Sequence, residues 1–110
     1  MQDIIFSDAV HDPTSIIKEM EYIIKYDMLD KDNFLIWYDD LGGDLTNNAT
    51  MTKAFISNFF TLQKRFPHLD ERTNLGLVIA GGWIGTNEWR HLNGIISSMN
   101  VPELINTLLV

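Results

Sequence analysis

A single domain built as a mostly α, compact bundle of five or six helices is the fold class this sequence predicts, on three observations. Apolar residues recur at helical spacing over several separate stretches. The 110 residues suffice for one core, spanning 1–110, and not for two. Proline and glycine stand where helices would begin and end. The alternative is a small α/β domain with a three-stranded parallel sheet, because the segments 33–40 and 74–80 read equally well as helix or strand.

In chain order, His11-Asp12-Pro13-Thr14 opens the first helix, with Asp12 as cap and Pro13 in the first turn, where its missing N–H costs nothing. Ile16, Ile17, Met20, Ile23, Ile24 and Met28 carry it to about residue 28. Next, Phe34, Trp37, Tyr38 and Leu41 share a helical face, with Asp32 as cap and Gly42 as terminator, so a short helix is favoured. The same run, NFLIWYDD, is rich in the aromatic and branched residues of a buried strand. After the polar GDLTNNAT comes the longest stripe: Met51, Phe55, Phe59, Leu62 and Phe66, broadened by Ile56 and Phe60. Lys64 and Arg65 suit the negative end of that helix, and Pro67 stops it.

DERTNLGLVIAGG is two-faced again. Leu77 to Ala80 reads as a buried strand, whereas Asp70 as cap and Gly81 as terminator write a short helix that Gly76 weakens. Trp89, Leu92, Ile96 and Met99 define a helix over about 87–99. Pro102 begins a last one, with Leu104, Ile105, Leu108 and Leu109 turned inward. Were both ambiguous segments strands, they would join Asp3–Phe6 in a β-α-β-α-β-α order.

Composition excludes several function classes. With no cysteine there is neither a disulfide framework nor a thiolate metal site. No apolar run approaches the roughly 18 residues of a membrane span. The first residues, MQDIIFSDAV, lack a basic and then apolar leader, so a cytoplasmic protein is expected. Asn48-Ala49-Thr50 then counts as a chance match to a glycosylation acceptor. The net charge of −7 argues against direct nucleic-acid binding. It is also unevenly placed: residues 1–44 hold eleven acids against three lysines, a net of −8, and residues 45–110 hold four acids against five bases, a net of +1. Such a field attracts cationic proteins and speeds their association.

Catalytic patterns are absent from the sequence. GGWIGTNEWRH, residues 81–91, has neither G-x-G-x-x-G nor a following G-K-[ST], and reads as a helix terminator, then a cap at Thr86 or Asn87. His11, His68 and His91 are scattered, and Glu88 with His91 makes a lone i, i+3 pair, so no metal is expected. No serine lies in G-x-S-x-G, and the adjacent Asp39 and Asp40 cannot face one another as an acid–base dyad. No enzyme activity and no cofactor are expected.

The function that follows is a small acidic inhibitor, of the immunity-protein kind, that neutralises a basic toxin, for instance a nuclease, by direct binding. Its binding residues would be Asp30, Asp39, Asp40, Asp44, Trp37 and Tyr38, with Trp83 added, because carboxylates beside aromatic anchors make protein interfaces. The alternative is a ligand-binding or enzymatic α/β domain. Asp8, His11, Asp40, Thr86 and Glu88 would then converge on one end of the sheet, where such folds bind ligands. A homodimer through an apolar face is a third expectation.

Overall fold

The structure, a computed structural model, describes residues 3–7, 13–38, 41, 48–80 and 91–109. It overturns the helical bundle. The order is β1 (Asp3–Ser7), α1 (Pro13–Lys25), β2 (Phe34–Tyr38), α2 (Asn48–Arg65), β3 (Leu75–Ala80), β4 (His91–Ser97) and α3 (Val101–Leu109). The four strands form one mixed sheet in the order β1-β2-β4-β3. β1 is parallel to β2, and β4 is antiparallel to both β2 and β3. β1, β2 and β3 therefore run in one direction, as the α/β alternative required, with β4 wedged between β2 and β3. The predicted helix over 87–99 is corrected to strand β4.

The two central strands, β2 and β4, are covered on both faces, and this decides which segments become strands. Phe34, Ile36 and Tyr38 of β2 face α1 and α2 in the main core, beside Ile16, Met20, Phe55 and Phe59. Leu35 and Trp37 point the other way and pack against the smaller cluster of Val78, Ile95 and Val101 under α3. A strand buried on both faces shows a continuous apolar run and no alternation. β4 is likewise buried at every residue from Asn93 to Ser97.

Two glycines let the layers close. A Cβ on Gly94 would lie 2.5 Å from the Phe55 ring and 2.8 Å from Leu41 Cδ1. One on Gly76 would lie 2.5 Å from Val101 Cγ1, where α3 crosses β3. Helix α1 stops short of its predicted end at residue 28. Asp27 adopts φ 51°, the Met28 N–H reaches back to the Ile23 carbonyl (3.0 Å) and the Asp27 N–H to that of Ile24 (3.1 Å). This is a Schellman cap with an aspartate at the usual glycine position.

The end of the sheet where β2 starts is knotted by side chains. Asn74 is buried; its carboxamide oxygen accepts from the Asp70 N–H (2.9 Å), and its NH₂ donates to the Ser98 and Met99 carbonyls (3.3 Å each). Asp70, predicted as a helix cap, caps a turn instead, taking the Arg72 N–H at 2.8 Å. Among the described residues no helix is long and apolar enough to cross a membrane.

Candidate functional site

At the opposite end of the sheet the strand termini come together. Ser7 pairs with Tyr38, Tyr38 with Gly94, and Ala80 with His91. The last residues of β1, β2 and β3 and the first of β4 therefore lie at one end. All three segments that begin there, 8–12, 39–47 and 81–90, fall outside the described residues apart from Leu41. By sequence they carry Asp8, Asp12, Asp39, Asp40 and Asp44.

Beneath that end, between β2, α1 and α2, sits a polar group inside an apolar layer. Tyr38 closes β2 and is only 1% exposed, its ring set edge-on to Phe55 at 5.2 Å. Asn58, on the buried stripe of α2, donates to the Tyr38 hydroxyl oxygen (3.2 Å) and to the Ile16 carbonyl (2.9 Å). It thereby ties α1 to both α2 and β2. Glu19 projects from the Ile16–Met20–Ile23 side of α1, and its Oε1 is buried without a hydrogen-bond partner. Burial pushes the Tyr38 hydroxyl far above the ordinary tyrosine range; the Asn58 bond opposes this and the nearby Glu19 charge adds to it. Tyr38 is thus a neutral group throughout the physiological range. Ser7, paired with Tyr38 and buried, shares this end.

The residues predicted to bind a partner do not form one patch among those described. Tyr38 is core. Trp37, next to it, is half-buried on the α3 side of the sheet. Asp30 lies before the start of β2, at the other end of the strand from Tyr38, its Oδ1 accepting the Asp32 N–H (3.0 Å). Asp39, Asp40, Asp44 and Trp83 fall outside the described residues, as do Asp8, His11, Thr86 and Glu88 of the alternative site. Sequence reasoning passed over Glu19 and Asn58. Each leaves a signal, a carboxylate and a carboxamide interrupting an otherwise apolar helical stripe.

Other places offer less. The crevice between the ends of α1 and α2, lined by Ile23, Leu62 and Phe66, has a volume of about 10 Å³, room for no more than about one water. The Arg65–Asp27 pair at its mouth (3.5 Å) joins two largely exposed side chains and contributes little. Among the described residues no group of three or more histidines or carboxylates is placed to hold a metal ion. No match to this chain is found among known protein families, curated proteins or solved structures.

Proposed function

We propose that this chain is a small α/β binding domain whose ligand site lies at the end of the sheet where the three long connections begin. The ligand is a small molecule carrying a positive charge or several N–H donors. The observation that carries this reading is Glu19. A buried carboxylate oxygen with no partner costs stability, and native proteins keep such groups chiefly where function uses them. It stands beside the Tyr38–Asn58 pair, under the carboxyl ends of β1 and β2, where open α/β sheets place ligands. The acidic sequence of the connecting segments supports a cationic ligand over an anionic one.

Glu19→Gln tests it. Replacing the carboxylate whose Oε1 is buried without a partner should raise the unfolding free energy by about 1 kcal/mol. It should also weaken binding of small amines and guanidines, read by calorimetry, at least tenfold. A Glu19→Gln variant that is less stable and binds such compounds equally well would assign Glu19 a structural role.

A second reading, the acidic inhibitor of a basic protein, is favoured by a separate surface. Tyr22 and Tyr26 stack on the outside of α1 (6.1 Å between centroids, 10° between planes), more than half exposed, with exposed Met28 beyond them. Exposed Glu21 and Asp27 each adjoin one of these tyrosines in the sequence, and the Lys25 ammonium lies over the Tyr26 ring (5.4 Å to its centroid). Aromatic anchors among carboxylates suit a cationic protein surface. Capture of a basic protein that is lost in Tyr22→Ala/Tyr26→Ala and at high salt supports this reading; capture indifferent to both defeats it.

A further inference from the structure

The polar tie under the carboxyl ends of β1 and β2 leaves two groups with complementary needs. Asn58 uses its carboxamide hydrogens on the Ile16 carbonyl (2.9 Å) and on the Tyr38 hydroxyl (3.2 Å). Turning that carboxamide over would set its oxygen against the Ile16 carbonyl oxygen, so Tyr38 accepts from Asn58 and does not donate to it. The phenolic hydrogen therefore points elsewhere. Among the described residues Tyr38 has no second hydrogen-bond partner to take it, although it is only 1% exposed.

Glu19 has the opposite need, since its buried Oε1 accepts from nothing. The two groups lie at one level of the fold. Carbonyls of an α-helix point toward its carboxyl end, so a side chain bonded to the Ile16 carbonyl lies beside the next turn. Glu19 stands on that turn, flanking the buried stripe of Ile16, Met20 and Ile23. Its charge accordingly acts on the Tyr38 hydroxyl. No bond joins the two directly, and polar groups held just beyond that reach are joined through a third group. Glu19 as a whole is half-buried, which gives the site an approach from solvent.

We propose that the ligand of this site is a small amino alcohol whose hydroxyl bridges Tyr38 and Glu19, accepting the phenolic hydrogen and donating its own to Glu19 Oε1. The proposal rests on the ligand reading given above and names the second group that the ligand carries.

The chemistry of the two protein groups selects the hydroxyl. An ammonium or guanidinium has donors only, so it would satisfy Glu19 and leave the Tyr38 hydrogen without an acceptor. A carboxylate or phosphate accepts from Tyr38 but meets the Glu19 charge at close range. A hydroxyl does both through one atom, which suits a position between packed side chains. The ligand's ammonium, on a neighbouring carbon, then lies against the other oxygen of the same carboxylate.

The test is an NMR titration with three amines of equal charge: ethanolamine, propylamine and methoxyethylamine. Propylamine carries a methyl group in place of the hydroxyl; methoxyethylamine keeps the acceptor oxygen and loses the hydrogen. Ethanolamine should bind wild type at least tenfold more tightly than either, because a site that bonds a hydroxyl is left with unpaired polar groups by analogues lacking it. Tyr38→Phe, which keeps the ring against Phe55, should reduce the lead of ethanolamine over propylamine to less than about threefold. Equal binding of all three amines to wild type would overturn the bridge and leave the cationic-ligand reading standing. Binding of none would overturn both. Methoxyethylamine bound as tightly as ethanolamine would overturn the bond to Glu19. An undiminished preference for ethanolamine in folded Tyr38→Phe would overturn the bond from Tyr38. The comparison of the three amines needs wild type alone, so it decides the bridge even where Tyr38→Phe fails to fold.

Discussion

Tyr38 and Asp27 show how single side chains divide between stability and function. The Tyr38 hydroxyl is held neutral by burial, with its pKa raised above the ordinary 10.0. Because the folded value exceeds the unfolded one, this stabilisation is fully present below about pH 10. It is lost as the pH rises beyond that, at about 1.4 kcal/mol per pH unit. Tyr38→Phe should therefore flatten the alkaline limb of a stability–pH curve measured by urea denaturation above pH 10, while costing about 1 kcal/mol at neutral pH. An alkaline limb as steep as that of the wild type would mean that Tyr38 ionises freely. Asp27 is the reverse case, a local compromise. Its φ of 51° suits glycine, and the ion pair it makes with Arg65 is exposed. Asp27→Gly should raise stability by roughly 0.5 kcal/mol, the relief of the left-handed backbone outweighing the lost surface pair. A measured loss of stability would mean that the Arg65 contact matters more than its exposure suggests.

At the scale of elements, β4 decides the architecture. Gly94 leaves room for Phe55 to touch the backbone of the central strand, so Gly94→Ala should destabilise by about 1–3 kcal/mol through overpacking. A thermal denaturation series that finds Gly94→Ala neutral would show that α2 can move away from the sheet. The same strand explains why the fold was only partly legible. Helices α1, α2 and α3 stand out because each has one wet face, and the 3.6-residue period of Ile16, Met20 and Ile23 or Met51, Phe55 and Phe59 records it. β2 and β4 have no wet face. Their burial on both sides erases the two-residue alternation, and Leu92 with Ile96 then imitates a helical turn. Gly94 and Gly76 inside the strand runs were the available warnings, since interior glycine argues against a helix and marks close approach in a strand.

For the whole molecule, the charge asymmetry of the sequence does not carry over into the described structure. The stretch 1–44 supplies β1, α1 and β2, but its Asp8, Asp12, Asp39, Asp40 and Asp44 lie outside the described residues, and α2, packed on α1, brings Lys53, Lys64 and Arg65 to the same side. That β1, β2 and β3 end on one side of the sheet was legible from the alternative reading, whereas the segments 8–12, 39–47 and 81–90 that it brought together lie outside the described residues apart from Leu41. Glu19 and Asn58 were legible only as polar breaks in apolar helical stripes, because their meaning depends on which helix face meets Tyr38. The most direct measurement is a two-dimensional NMR titration of the isotope-labelled chain with small primary amines and guanidines. Shifts concentrated on Ser7, Glu19, Tyr38, Asn58 and Gly94 are the expected result, placing the ligand at the carboxyl ends of the strands. Shifts confined to Tyr22, Tyr26 and Met28, or no shifts at millimolar ligand, would contradict it.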